Sequence, residues 1–289
     1  MKLDIALIQM RSGIDPAANI AAASAMIRKA AAGGAKLVAT PETTHLVQKD
    51  ADQAFAVMKT PQDEPAIEAF AALAAELGID LLIGSMAVRI AERKAANRSF
   101  LFGPDGHIKA TYDKAHMFDV GLGQGETYRE SANYQAGDRL ELAEAAGVRL
   151  GLSICYDLRF AYLYRRLAKA GAQILTAPAA FTRPTGRAHW EVLLRARAIE
   201  TGSFVIAPAQ GGLHEDGRRT YGHSMIIGPW GEIVAQLDHD EPGILAATLD
   251  LSRVEDARSR IPALSHDRTL SGPDADPGIL SPIHGVVEP

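Results

Sequence analysis

The sequence predicts an α/β fold, because short apolar strands alternate with helices along its first part. Leu3–Ile8 has the pattern of a strand, and an alanine-rich helical stretch follows at about Ala17–Ala32, ending at a Gly-Gly pair. A short buried strand, Lys36–Thr40, comes next, and an amphipathic helix, Pro65–Leu77, leads into the strand Asp80–Gly84. Strands separated by helices in this way are typical of layered α/β proteins.

Two hairpins with the same turn chemistry indicate that the chain has two similar halves. Arg98–Gly103 and His107–Tyr112 are predicted strands joined by a Gly-Pro-x-Gly turn. Gly222–Gly228 and Glu232–Leu237 are joined by the same kind of turn, and each hairpin follows strand and helix units. The repeat is faint, and recurrence of a common turn sequence by chance is the alternative.

The remaining elements continue the alternation. Lys114–Gly137 is long and has no clear periodicity, and such loops in compact domains are usually functional or disordered. The elements predicted after this segment are a strand ending at Cys155, the strand Gln173–Ala177, the loop Pro178–Arg187, the helix Trp190–Glu200, the strands Ser203–Pro208 and Gly243–Leu249, and the helix Ser252–Arg258. The two tryptophans, Trp190 and Trp230, are expected to pack in cores.

Composition excludes several classes of partner. The chain has 289 residues, a hydrophobic fraction of 47%, and a net charge of −5 without a pronounced basic run, so nucleic acid and anionic membranes are not expected partners. No apolar run approaches the length of a membrane span, and the N-terminus is too short and too acidic for a signal peptide. One cysteine excludes an intramolecular disulfide. We therefore expect a soluble, cytoplasmic protein.

Cys155 lies where a buried strand pattern changes to an amphipathic helix pattern. At such an elbow backbone N–H groups point outward, and the helix dipole favours the thiolate. The alternative is that a lone cysteine is simply a small buried hydrophobic residue. The predicted apolar side of the helix after Cys155 consists of Leu158, Tyr162, Leu163 and Leu167.

Glu42, Lys114 and Cys155 share one kind of location, at or just beyond the C-terminal end of a predicted strand. Those ends gather along one edge in layered α/β folds, where ligands bind. A thiolate attacks an electrophilic carbon, a carboxylate accepts the thiol proton, and an ammonium group stabilises an oxyanion. Taken singly, Glu42 and Lys114 have the ordinary alternative of exposed residues. His223 beside Ser224 lacks the Gly-x-Ser-x-Gly elbow of a serine hydrolase.

Five motifs that span nearly the whole chain resemble those of the nitrilase superfamily of carbon–nitrogen hydrolases. They are Pro41-Glu42, Tyr112–Val120, Gly151–Phe160, His189–Glu200 and Tyr221–Gly231. Each is moderately specific, and the five in this order are highly specific. The resemblance implies a four-layer αββα sandwich that pairs across helical faces into a homodimer or higher homo-oligomer.

The resemblance also implies the catalytic residues. Glu42, Lys114 and Cys155 match the positions of a Glu–Lys–Cys triad that works without a metal or an organic cofactor. A further glutamate of the family, which positions the triad and the substrate, matches Glu130 better than Glu126.

Four other residues match positions around the family's substrate pocket. Arg159, four residues after the cysteine, matches an arginine that holds the 2-oxo acid end of a substrate. Phe181 and Thr185 match further pocket positions. The backbone N–H of Tyr156 is expected to assist the lysine in binding the oxyanion.

The stretch that follows Cys155 leaves two points open. Arg159 has a second interpretation of equal weight, a structural ion pair with Asp157 or Glu200. Close relatives often carry Pro-Glu after the Arg-Phe pair, whereas this chain has Ala161-Tyr162.

The expected function is that of a cysteine-dependent amidase, which converts a small amide to the acid and ammonia through a thioester. The motifs are most similar to the branch that hydrolyses deaminated glutathione, close to the ω-amidases acting on 2-oxoglutaramate and 2-oxosuccinamate. A nitrilase or an N-carbamoyl amidohydrolase is the alternative within the superfamily. Residues 1–268 are expected to form the hydrolase domain, and residues 269–289 a tail that packs at a subunit interface.

Overall fold

The computed structural model describes residues 1–123 and 126–268 of the chain. Within that part the helices are α1 Pro16–Ala32, α2 Ala51–Val57, α3 Pro65–Leu77, α4 Ala161–Lys169, α5 Arg183–Thr201 and α6 Ser252–Arg260. The strands are β1 Lys2–Gln9, β2 Leu37–Ala39, β3 Asp80–Ala91, β4 Lys94–Phe102, β5 Ile108–Asp113, β6 Asp119–Gly123, β7 Glu126–Arg129, β8 Leu142–Ala145, β9 Val148–Gly151, β10 Ile174–Thr176, β11 Phe204–Ala207, β12 Gly211–Leu213, β13 Arg219–Tyr221, β14 Met225–Ile227, β15 Ile233–Gln236 and β16 Gly243–Asp250.

The two large sheets have the same strand order, which confirms the internal repeat. One sheet runs β16-β1-β2-β3-β4-β5, and the other runs β8-β9-β10-β11-β14-β15. In each, three neighbouring strands are parallel, an antiparallel hairpin continues the sheet on one side, and one antiparallel strand closes the other side. Strand and helix units therefore supply the parallel core of each sheet, and the Gly-Pro-x-Gly turns supply its hairpin.

The two sheets pack face to face between two layers of helices. Side chains alternate along β1: Leu3 and Leu7 belong to the apolar cluster shared with the second sheet, whereas Ala6 and Ile8 belong to the cluster under α1 and α3. Helices α4 and α5 cover the outer face of the second sheet, and the buried Trp190 belongs to their cluster. The order helix, sheet, sheet, helix confirms the predicted four-layer αββα sandwich.

The chain after Cys155 differs from the predicted helix. Residues Cys155–Arg159 form a 3₁₀ turn, and α4 begins only at Ala161, because the backbone of Phe160 leaves the helical region with φ −107° and ψ 85°. Because of this break, one residue of α4 does not lie on the side of the helix that the sequence pattern predicted. Tyr162, predicted on the apolar side, is 56% exposed.

Two other expectations need correction. The predicted loop Pro178–Arg187 is shorter than expected, since α5 begins at Arg183 with a proline in its first turn, a position that suits proline. Trp230 does not pack in the core: it lies at the turn between β14 and β15, is 47% exposed, and has the Arg260 guanidinium 4.2 Å from its ring centre.

The segment Lys114–Gly137 is not a featureless loop in its described part, where β6 and β7 form a small hairpin followed by a 3₁₀ turn. The chain then continues to α6, and residues 262–268 lie against α4, where Lys169 binds Asp267 at 2.6 Å. The predicted tail, residues 269–289, lies outside the described residues. Across the described ranges, no helix is both long and apolar enough to cross a membrane.

Candidate active site

The structure brings together the three residues that the sequence singled out. Glu42 follows β2, Lys114 follows β5, and Cys155 follows β9, so two come from one large sheet and the third comes from the other. The Lys114 ammonium lies 2.9 Å from Glu42 Oε1 and also 2.9 Å from Glu130 Oε2. Lys114 is 2% exposed and Glu42 is 4% exposed, so this ion pair is largely removed from solvent.

Asn97, which sequence reasoning missed, holds the two carboxylates beside each other. Its Nδ2 donates to Glu42 Oε1 at 2.9 Å and to Glu130 Oε1 at 3.2 Å. Asn97 is buried on β4, the strand next to β5. The sequence carries no local signal for it, because Asn97 lies just before the predicted strand and is followed by the polar residues Arg98 and Ser99.

The elbow at Cys155 has a strained backbone. Cys155 is a non-glycine residue with φ of 50°, and its N–H donates to the Pro178 carbonyl at 2.9 Å. Besides burial, interaction with the Glu42 carboxylate is one of the causes that raise the pKa of its thiol. The Ala180 N–H donates to Glu42 Oε2 at 2.9 Å, so the loop after β10 orients the same carboxylate. Backbone hydrogen bonds therefore fix both groups against each other.

Burial and charge set the protonation states. Burial raises the pKa of Glu42, but the charge of Lys114 and hydrogen bonds from Cys155, Lys114 and Asn97 outweigh it, so the pKa is lowered overall. Burial, followed by the charge of Glu42, raises the pKa of the Cys155 thiol well above its ordinary value. The pKa of Lys114 is raised because Glu130 and Glu42 outweigh burial. At neutral pH the site holds an ionised carboxylate, an ammonium and a neutral thiol.

Asp157 ties the elbow of Cys155 to the strand end that carries Lys114. Its Oδ2 accepts from the Tyr112 hydroxyl at 2.8 Å, and its Oδ1 accepts from the His116 N–H at 3.0 Å. Tyr112 and His116 flank Lys114 in the sequence, and Asp157 is fully buried. Sequence reasoning also missed these hydrogen bonds, because Asp157 lies in a different segment of the chain from Tyr112 and His116.

A pocket of about 950 Å³ opens above these residues and is lined by all of the predicted site residues, including Tyr156, Phe181 and Thr185. The Arg159 guanidinium carbon lies 5.8 Å from the ring centre of Tyr156 and 5.5 Å from that of Phe181. Arg159 also contacts His189, with 3.3 Å between Nη1 and Nδ1.

The structural interpretation of Arg159, an ion pair with a nearby carboxylate, is wrong in this structure. Asp157 is occupied by Tyr112 and the backbone of His116, while Glu200 binds Arg197 at 2.9 Å. Arg159 is instead left with its guanidinium at the pocket.

The described residues hold no group of three or more His, Cys, Asp or Glu side chains that could bind a metal ion. The expectation of a site without metal or cofactor stays a prediction. The chain itself supplies a nucleophile, a base and hydrogen-bond donors at this site.

Known proteins that are similar to this chain include enzymes named as amidases. A relative from Yersinia enterocolitica, named deaminated glutathione amidase, is 38% identical over 271 residues, covering 93% of this chain and 94% of that protein. The solved C. elegans NitFhit protein matches with a TM-score of 0.87 at 36% identity; the match covers 92% of this chain and 65% of that one, so this chain spans about two thirds of its length.

A more distant solved structure has a modified active-site cysteine of its own. A mutant amidase from Nesterenkonia sp. AN1, solved with acrylamide added to its active-site cysteine, matches with a TM-score of 0.76 at 25% identity, covering 90% of this chain and 98% of that one. The sequence model of carbon–nitrogen hydrolases matches residues 4–259. With that match and the 38% identical relative, the chain belongs to the carbon–nitrogen hydrolase family, as its motifs predict.

Proposed function

We propose that the protein is an amidase that hydrolyses deaminated glutathione through a thioester on Cys155. The observation that carries the proposal is that Cys155, Glu42 and Lys114 line one pocket of about 950 Å³, where the buried Glu42 is paired with Lys114 at 2.9 Å. Charge and burial keep the Glu42 carboxyl ionised and the Cys155 thiol neutral there. The substrate is taken from the relative with 38% identity that bears this name.

In the first half-reaction Glu42 is the general base. It accepts the thiol proton as the sulfur of Cys155 forms a bond to the amide carbon. The carbonyl electrons move to oxygen, and the resulting oxyanion is stabilised by the Lys114 ammonium and the Tyr156 N–H, which has no backbone acceptor within the described residues. Collapse of this intermediate breaks the C–N bond, and the Glu42 carboxyl returns the proton to the leaving nitrogen.

The second half-reaction uses the same groups. Glu42 takes a proton from water as the water oxygen attacks the thioester carbon, and collapse releases the acid and the Cys155 sulfur, which regains its proton. Glu130 is a positioning residue in this scheme, since its carboxylate holds the Lys114 ammonium at 2.9 Å. The amine that leaves depends on the substrate: a primary amide gives ammonia, whereas deaminated glutathione gives the dipeptide cysteinylglycine.

Arg159 fits the 2-oxo acid end of this substrate. Its guanidinium is held between aromatic rings and His189, and so it is available at the pocket for two parallel hydrogen bonds to a carboxylate. Phe181 and Thr185 complete this part of the pocket.

The test is a panel of substrates given to the purified protein. Deaminated glutathione, 2-oxoglutaramate, an aliphatic nitrile and an N-carbamoyl amino acid are compared by kcat/KM, with the acid product measured in each case. Deaminated glutathione is expected to give the highest value. A preference for 2-oxoglutaramate would assign the protein to ω-amidase activity, and a preference for the nitrile or the carbamoyl compound would overturn the amidase proposal.

The location and assembly follow as parts of the same proposal. A catalytic Cys155 must stay a free thiol, which supports a reducing, cytoplasmic compartment. Val192 and Ile199 lie two turns apart on α5 and are 68% and 57% exposed, and this apolar face supports a homodimer that buries it. Analytical ultracentrifugation of the wild type and of Val192→Glu tests the assembly, with a shift to monomer expected for the variant.

A further inference from the structure

The pocket is lined by far more positive than negative side chains, although the whole chain has a net charge of −5. Among the described residues at the pocket the carboxylates are Glu42 and Glu130, and both form ion pairs with Lys114. The cations there, apart from Lys114, are Lys49, Arg129, Arg159, Arg183, Arg187, Arg218 and Arg219. Like charges gathered around a cavity repel one another, so an anionic ligand is favoured there.

Arg218 is the best oriented of these cations. Asp216, whose side chain is 1% exposed, accepts from the Arg218 backbone N–H at 2.9 Å and from its Nε at 2.7 Å. No other partner is recorded for the Arg218 side chain among residues 1–123 and 126–268, so its terminal nitrogens remain available. A guanidinium fixed at Nε presents its remaining N–H groups in a planar fork that matches a carboxylate.

Strands β12 and β13 form the hairpin whose turn carries Arg218, and this hairpin is hydrogen-bonded to the loop between β10 and α5. Strand β13 forms a bridge to that loop between Thr182 and Thr220, and the Tyr221 N–H donates to the Phe181 carbonyl at 2.9 Å. Ala180, which donates to Glu42, belongs to the same loop. Arg218 is therefore held in a defined position relative to the reacting groups.

Two further observations place Arg218 at the pocket near other groups. Its charge opposes the increase that burial and Glu130 cause in the pKa of Tyr134, a pocket residue whose pKa is raised to about 12. Lys49 Nζ lies 3.4 Å from where a side chain on Gly217 would begin, so a second cation lies beside the hairpin turn. Arg159 reaches the pocket from a separate element, the turn after Cys155.

We propose that Arg218 and its neighbouring cations form a second carboxylate site, which binds the amine part of the substrate. The substrate class is then an amide with a carboxylate on each side of the scissile bond: a 2-oxo acid held by Arg159 and a peptide C-terminus held by Arg218. This inference rests on the proposed function, because it assigns the two charged ends of deaminated glutathione to two arginines. The site separates peptide-like amides from primary amides, which have no group to fill it.

The experiment compares three substrates with the same acyl part. They are deaminated glutathione, its analogue with a C-terminal amide in place of the glycine carboxylate, and 2-oxoglutaramate. For the wild type, replacing the carboxylate by the amide is expected to lower kcat/KM on the order of tenfold to hundredfold, the range for a hydrogen-bonded charged group. This comparison needs no variant, so it does not depend on whether a variant folds.

Arg218→Gln adds the matching change on the protein. The variant's loss of kcat/KM on deaminated glutathione is expected to be at least tenfold larger than its loss on 2-oxoglutaramate. In the variant, kcat/KM for deaminated glutathione and for its C-terminal amide analogue should be nearly equal. Arg139→Gln is the control, because Arg139 is highly exposed and is not among the described pocket residues. A purely structural role of Arg218 would lower activity on all three substrates equally.

The outcomes separate this inference from the proposed function. Wild-type turnover of deaminated glutathione with no preference for the carboxylate form would overturn the second site alone. The same conclusion follows if Arg218→Gln lowers activity on every substrate by one factor. Absence of wild-type turnover on deaminated glutathione and 2-oxoglutaramate would overturn the proposed function and, with it, this inference.

Discussion

At the inner end of the pocket each described charge has an opposite charge within hydrogen-bond distance, whereas at the outer rim several cations have none. Lys114 lies between Glu42 and Glu130, each 2.9 Å away. Arg183 and Arg219, by contrast, have no carboxylate partner among the described residues, and both are exposed. Both regions line one pocket, so the inner end and the rim are two parts of a single site.

The difference shows where the chain provides its own counter-charges and where it leaves them to a ligand. Buried charges are costly unless they are paired, so the inner cluster must be complete before substrate arrives. Exposed cations are tolerated without partners because water solvates them. Chemistry is thus assigned to the inner end and recognition of an anion to the rim, and substitutions in the two regions should have different kinetic effects.

The largest effect is expected at the inner end from Cys155→Ala. Without the sulfur no thioester forms, and kcat should fall on the order of 10⁴ or more, as for other covalent nucleophiles. Removing one small side chain beside a pocket should leave the fold intact. The measurement is single-turnover hydrolysis, with mass spectrometry of the wild type to detect an acyl adduct on Cys155. Turnover by the alanine variant at the wild-type rate would end this mechanism.

Lys114→Ala and Glu42→Gln should follow. Lys114→Ala should lower kcat on the order of 10²–10³, the usual loss for an oxyanion donor. Glu42→Gln should lower it on the order of 10²–10⁴, the usual contribution of a general base. Lys114→Ala also leaves the buried Glu42 and the partly buried Glu130 without their cation. Breaking a buried pair typically lowers the free energy of unfolding by about 3–5 kcal/mol. Rates must therefore be compared on folded protein, with stability measured by urea titration. Lys109→Ala is a suitable control, because Lys109 pairs with Asp80 at 2.8 Å outside the described pocket lining. A near-normal kcat for either site variant would refute its role.

The sequence predicted the inner end far better than the rim, and the reason is physical. Glu42, Lys114 and Cys155 each follow a strand, and strand ends meet at an edge, so their encounter follows from the fold. The α/β layering was predictable because strand and helix patterns alternate along the chain, and the four-layer αββα order was implied by the resemblance of the motifs.

Two of the residues that support the triad, Asn97 and Asp157, could not be predicted. Asn97 and Asp157 act through distances between segments that are far apart in the chain, and no local pattern encodes those distances. The exposure of Tyr162 was missed because a single non-helical residue, Phe160, interrupts the helix pattern. Arg218 lies in a glycine-rich loop whose residues show no periodicity, and its role depends on the buried partner Asp216.

A smaller effect is expected from Asn97→Ala, which tests how the inner charges are kept ionised. The amide lowers the pKa of Glu42 by donating to Oε1, so its loss should raise that pKa. Since the base must be ionised, the acidic limb of the kcat/KM profile should move to higher pH. Loss of a hydrogen bond to a charged group should also lower the rate on the order of tenfold to hundredfold at neutral pH. An acidic limb that stays in place or moves to lower pH would show that Asn97 does not support Glu42.

The smallest effect is expected at the rim, from Arg159→Lys. Lysine keeps the charge but loses both the planar fork and the contacts over the Tyr156 and Phe181 rings. The 2-oxo acid should therefore bind less tightly, with KM rising about tenfold and kcat falling less, as for an interaction that is made equally in ground state and transition state. The control is Arg166→Lys, on the exposed side of α4 and outside the described pocket lining. If kcat falls while KM is unchanged, Arg159 belongs with the inner end of the pocket, and the division between chemistry and recognition is drawn in the wrong place.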